Sequence, residues 1–279
     1  MFWQNLYRVM AYTSDVPKSY GPFHLISLAV VLLCTVLAVW KLRDASEKTF
    51  KRFIFIVWCV LLAGEIYREI CFSFSIVDGA FVYDYAWYIF PFQLCSSPLY
   101  ILPFIVFLKE GKVRDGFLCF MALWSFFGGA AVMFYPGDVI CMFVGINFQA
   151  MIHHGAQLLV GVLIAARCGR RMNLKFYLSG LCVFLGYLAV AMILNVVVYH
   201  YLTANGMGDT FNMMFISPYF PCTLPILSTI HAQTSWGVVF PLYVLGFTLI
   251  AALIFFVERF IVIKVRGAAR GEAIADGNN

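Results

Sequence analysis

Seven apolar runs dominate this sequence, at 23–41, 53–76, 86–108, 116–135, 143–166, 176–201 and 237–263. Each approaches the roughly 20 residues that a helix needs to cross a hydrocarbon core of about 30 Å. Helix is the form they must take, because an unpaired backbone N–H or C=O cannot face lipid. Composition agrees: 63% of the 279 residues are hydrophobic and 12% are charged, against roughly 25% charged in a soluble domain. A chain so short of polar groups cannot cover a water-facing surface. The fold class expected is an all-α polytopic membrane bundle of about seven transmembrane helices, forming a single membrane domain.

The links between the runs alternate in charge. Lys41, Arg43, Lys48, Lys51 and Arg52 lie in 41–52, and Lys109, Lys112 and Arg114 in 109–115. Arg167, Arg170, Arg171 and Lys175 lie in 167–175, and Arg259, Lys264, Arg266 and Arg270 at the C-terminal end. Of the 19 basic residues, only Arg8, Lys18 and Arg68 fall elsewhere. The other links carry Asp78, Asp84, Asp138 and Asp209 and no basic residue. Positive loops stay in the cytoplasm. The expectation is an N-out, C-in topology in a bacterial cytoplasmic membrane, with 1–22 an extracytoplasmic segment, 23–263 the bundle and 264–279 a disordered cytoplasmic tail.

The segment 202–236 is apolar enough to enter the membrane, but Pro218, Pro221 and Pro225 oppose a regular helix. It reads as a re-entrant or interfacial segment between helices six and seven. Irregular backbone at depth is tolerated only against protein or a water-filled cavity, so the segment is expected to cover something. The nine cysteines are scattered, without metal-type or disulfide-framework spacing. No metal, cofactor or nucleic acid is called for.

Polar groups inside spans are expensive and therefore informative. The second run holds Glu65, Arg68 and Glu69, and the third Gln93 and Cys95. The fifth holds Asn147, Gln149, His153 and His154, and the sixth Asn195. At 1.5 Å per residue, Cys95, His154, Glu65, Glu69 and Asn195 lie roughly 9–17 Å in from the outer ends of their helices. A polar cavity opening to the outer leaflet is expected where they converge. Glu65 and Arg68, at i,i+3, can also pair as a structural brace. Most membrane cysteines are inert small hydrophobes. Cys95 differs because it lies in FPFQLCSSPLYILPF, where Pro98 and Pro103 disturb the helix and Gln93, Ser96 and Ser97 add polarity. A neighbouring base makes a thiol a nucleophile, and His153 or His154 lies at matching depth.

Three readings fit these residues. One is a thiol-dependent lipid acyltransferase built on Cys95 with His154 or His153. Another is a proton-coupled transporter using Glu65, Arg68, Glu69 and the histidines. The third is a seven-helix lipid-binding protein.

The combination of FPFQLCSSPL, FYPG from Phe134 to Gly137, FQAMIHHGAQLL and NMMFISP from Asn212 to Pro218 resembles the YwaF-like integral membrane proteins. That family includes the eukaryotic transmembrane protein 164, a lipid acyltransferase acting on ether phospholipids. The resemblance implies that Cys95 takes an acyl chain from a phospholipid as a thioester. It implies that a histidine of the HHG motif, His154 ahead of His153, serves as base and then acid. The acyl group would pass to a lysophospholipid or another lipid, making membrane phospholipids the partners.

Overall fold

The computed structural model describes residues 2–276. A short helix α1 (Phe2–Met10) leads into α2 (Pro22–Leu42) and α3 (Glu47–Ser73), then a hairpin of β1 (Phe74–Val77) and β2 (Ala80–Tyr83). Helix α4 (Ser97–Phe107) is followed by α5 (Lys112–Phe120), one wide π turn at Met121–Ser125, and α6 (Phe126–Phe134). Then come α7 (Val144–Cys168), α8 (Leu174–Ala204), the short α9 (Leu227–His231) and α10 (Trp236–Asp276). The protein is an all-α polytopic bundle, and five of its helical segments are long and apolar enough to cross a membrane: α2, Lys112–Phe134, α7, α8 and Trp236–Lys264.

Start signals in the sequence account for several helix boundaries. Ser46 caps α3 by accepting the Thr49 N–H at 3.2 Å, and Asn173 caps α8 by accepting the Phe176 N–H at 3.1 Å. Pro22 opens α2 at a position where its missing N–H is harmless. The last helix continues through Asp276, across most of the segment expected to be a disordered tail. Ala268, Ala269, Glu272 and Ala273 there are good helix formers. Residues 277–279 lie outside the described ones.

Two expected spans have other ends than the sequence suggested. The run at 53–76 ends as helix at Ser73 because the chain turns into the hairpin, with Phe74 paired to Tyr83 and Val77 to Ala80. Asp78 and Gly79 make the turn, with φ of +49° and +76°. The run at 86–108 is helical only from Ser97. Before that it forms single 3₁₀ turns at Trp87–Ile89 and Leu94–Ser96. Pro91 lacks an N–H and disfavours helical backbone at Phe90, whose ψ is 129°. Pro98 therefore does not break a helix but starts one, in the first turn of α4. Pro103, inside α4, leaves the Leu99 carbonyl without its i+4 donor. The Trp58 indole N–H supplies a substitute at 2.9 Å and ties α3 to α4.

Helix α7 is the axis of the bundle: 72% of its most apolar stretch is buried, against 11% for α2 and 22% for α10. The glycines of α6 bring it close. A Cβ on Gly129 would run into Gln157 and lie 2.7 Å from the His154 carbonyl. Helices α5 and α8 close the other side around buried Phe120, Trp124 and Phe184.

The two ends of the bundle differ. At the end with the basic links, Arg114 and Arg167 both bond the carboxylate of Glu47. Arg167 also donates to the carbonyls of Leu42 and Ala45 at 3.1 and 2.7 Å, past the end of α2. Lys51 reaches the Leu108 carbonyl at 2.8 Å, past the end of α4. These cations satisfy carbonyls that helix C-termini leave open. At the opposite end, α1 lies on the hairpin through Gln4, which donates to the Gly79 carbonyl at 2.7 Å, and Tyr7, which donates to the Phe74 carbonyl. Residues 12–14 bond the link at 142–144.

The segment 205–235 is irregular, as its prolines required. Its stretch 211–216 is buried against the bundle, including Phe211, Met213, Met214 and Ile216. Side chains pair its backbone. Asn195 accepts the Met213 N–H at 2.7 Å and donates to the Met213 carbonyl at 3.0 Å. Gln93 accepts the Met214 N–H at 2.7 Å and donates to the Asn212 carbonyl at 3.0 Å. Asn212 accepts from Ser217 and donates to the Pro221 carbonyl. Asn195→Leu would leave the buried Met213 N–H unpaired, at about 1–3 kcal/mol, and the Met213 carbonyl with only the long bond from the Ile216 N–H at 3.4 Å. We expect it to lower the thermal unfolding midpoint in detergent and to expose 205–226 to proteolysis.

Candidate active site

A cavity of about 270 Å³ lies between α3, the turns at 87–96, the link at 138–141 and α7. Its wall contains Cys95, His153 and His154, together with Glu65, Arg68, Gln93 and Gln149. The convergence expected from depth therefore holds for these residues. Each comes from a different structural cause. The histidines project from the buried axis α7. Cys95 sits in the 3₁₀ turn between Pro91 and Pro98. Glu65 and Arg68 share one face of α3.

Arg68 is the hub of the ionic group. Its guanidinium bonds Glu65 through Nε at 3.0 Å, Glu69 at 3.2 Å and the Ile89 carbonyl at 2.6 Å. The arrangement braces α3 against the turn at 87–89. Glu65 is buried, while Glu69 stands half-buried beyond the cavity wall.

The two histidines differ in what their rings do. Nε2 of His153 lies 2.8 Å from the Cys95 carbonyl, and Nδ1 of His154 lies 2.7 Å from the Ala150 carbonyl. A carbonyl can only accept, so each of these nitrogens carries the proton. His153 thus presents an unprotonated Nδ1, which is buried and meets no protein donor. His154 presents an unprotonated Nε2. A backbone hydrogen bond that fixes the tautomer in this way is a common means of setting up an imidazole base. The Cys95 carbonyl also accepts from Gln157 at 2.8 Å. Two side chains of α7 therefore hold the backbone of Cys95. Among the described residues, no hydrogen bond joins its thiol to either imidazole.

Asn147 and Asn195 stand outside the cavity wall. Asn147 accepts the Cys141 N–H and donates to the Cys141 carbonyl, both at 2.8 Å, and pins the link over the cavity. Asn195 holds the irregular segment at Met213, and among the described residues of that segment none lines the cavity, so the expected cover over the site is not found there. Gln157, a polar residue of the fifth run, and Asn212 emerge as positioning residues beyond the candidate site residues expected from the sequence. Gln157 lies one helical turn beyond His153, so the same face rule that pairs i with i+4 could have found it.

A separate recess lies beside the cavity. It encloses about 200 Å³ between α3 and α7, is walled by Val60, Gly64, Phe148 and Ile152, and shares Gln149 and His153 with the cavity. Phe148 and Ile152 are exposed on the bundle surface. The recess thus reaches from the side of the bundle to His153.

The chain matches the model of the TMEM164 family over residues 19–258. No curated protein and no solved structure matches it. That match spans most of the chain, including every residue of the cavity, and agrees with the apolar helices: the protein is an integral membrane protein belonging to the TMEM164 family.

Proposed function

We propose that the protein moves an acyl chain from a phospholipid to a lysophospholipid or another lipid acceptor through a thioester on Cys95. The observation that carries this reading is the placement of Cys95 in one cavity with His154, whose tautomer leaves Nε2 as a base. The acyl transfer implied by the family resemblance points the same way. With the basic links in the cytoplasm, the cavity opens towards the outer leaflet.

The steps balance as follows. His154 Nε2 takes the thiol proton of Cys95, and the thiolate attacks the ester carbonyl of the donor. The acyl C–O bond breaks, and His154 returns the proton to the departing lysophospholipid oxygen. In the second half, His154 takes the proton of an acceptor hydroxyl, which attacks the thioester. The C–S bond breaks and the thiol is restored with that proton. Arg68 supplies positive charge to the cavity where an oxyanion would form. His153 and Gln157 hold the Cys95 main chain in place.

The test is transfer of a labelled acyl chain between phospholipid and lysophospholipid in proteoliposomes. Wild type should transfer it and Cys95→Ala should not. Equal transfer by the two would overturn the reading. The lateral recess is the natural route for the chain. Ile152→Trp, which narrows it, is expected to slow transfer of long chains more than short ones, measured as the ratio of the two rates.

A further inference from the structure

A groove of about 480 Å³ lies towards the basic end of the bundle, away from the Cys95 cavity. Its walls are apolar, with Phe126 of α6, Val162 and Ala165 of α7, and Leu253 of α10. Two charged residues interrupt them: Glu258 of α10 and Arg43 at the end of α2. Both carboxylate oxygens of Glu258 are buried, and among the described residues neither has a hydrogen-bond partner. An unpartnered carboxylate in so apolar a setting is costly, and buried charges are normally paired. Glu258 plays no part in the chemistry at Cys95.

We propose that this groove binds an ethanolamine phospholipid of the adjacent leaflet, with its ammonium on Glu258 and its phosphate on Arg43. Three observations support that occupant. The walls suit an acyl chain. The carboxylate and the guanidinium complement a zwitterionic headgroup in sign. Both oxygens of Glu258 can accept hydrogen bonds, which a primary ammonium donates and a quaternary choline does not. Arg43 is paired with Asp44 at 2.9 Å, but that pair is exposed, with Asp44 69% accessible. Exposed pairs are weak, so sharing the guanidinium with a phosphate is inexpensive.

Native mass spectrometry of the purified, delipidated protein tests this. Phosphatidylethanolamine, phosphatidylcholine and phosphatidylglycerol with identical acyl chains are added back separately. Wild type should retain phosphatidylethanolamine about tenfold better than phosphatidylcholine, a difference typical of a charge-assisted hydrogen bond. Glu258→Leu should abolish that preference and leave acyl transfer through Cys95 intact. Glu258→Gln, which keeps size and shape, should weaken it and serves if the leucine variant does not fold. Equal retention of the two lipids by wild type, or a preference that survives both substitutions, would overturn the proposal. Because transfer is read separately, failure here is distinct from failure at Cys95.

Discussion

His154→Gln is expected to slow acylation of Cys95 by about 10²–10⁴-fold, the usual worth of a positioned general base. His153→Gln should cost far less. The asymmetry follows from the rings. His154 spends Nδ1 on its own helix and keeps Nε2 for a proton, whereas His153 spends Nε2 on the Cys95 carbonyl. Glutamine can still donate to that carbonyl, so His153→Gln preserves the hold on the main chain. His153→Leu removes it and should cost more than His153→Gln, although Gln157 retains part of the hold. Equal losses in His154→Gln and His153→Gln would show that the two rings do not divide the work in this way. Initial rates of acyl-enzyme formation provide the measurement.

Arg68→Met is expected to destabilise the protein by about 3–5 kcal/mol, because it leaves the buried Glu65 carboxylate without its partner. It also removes the bond to the Ile89 carbonyl that fixes the turn leading to Cys95. The double variant Glu65→Leu/Arg68→Met removes both charges. It should recover most of the loss, since replacing a whole buried pair by apolar groups is often neutral. Thermal unfolding in detergent reports the stability. If the double variant folds well yet acylates slowly, Arg68 contributes charge to the reaction as well as bracing. If it is as unstable as Arg68→Met, the cost lies in the lost Ile89 contact and not in the stranded carboxylate.

Much of this architecture was legible because lipid imposes simple rules. The apolar runs are visible, and the prolines at 218, 221 and 225 mark the irregular segment before the last helix. The fold departs where local chemistry outweighs hydropathy. Asp78-Gly79, in the link after the second run, is a strong hairpin signal, yet hydropathy carries that run through Phe74–Ile76, which the hairpin takes as strand. Pro91 ended helical structure in a run that hydropathy alone joined to α4.

The candidate site divides in the same way. Polarity at depth identified Cys95, His153, His154, Glu65 and Arg68, since polar groups inside a bundle gather where they are satisfied. It could not say which way a side chain turns. Asn195 and Asn147 have the depth of cavity residues but use both ends of their amides to mimic a backbone partner. That role depends on where distant irregular backbone comes to rest, which no local pattern encodes. The division of labour between adjacent histidines is likewise invisible without the carbonyls they face.

The thioester on Cys95 is the central claim, and trapping it tests the account most directly. The purified protein is incubated with a phospholipid donor in the absence of acceptor, and its intact mass is measured before and after hydroxylamine. The account predicts a mass gain equal to the acyl group, located on Cys95, removed by hydroxylamine and absent from Cys95→Ser. An adduct retained in a Cys95→Ala variant, or a wild type that transfers acyl chains without ever carrying one on Cys95, would contradict it.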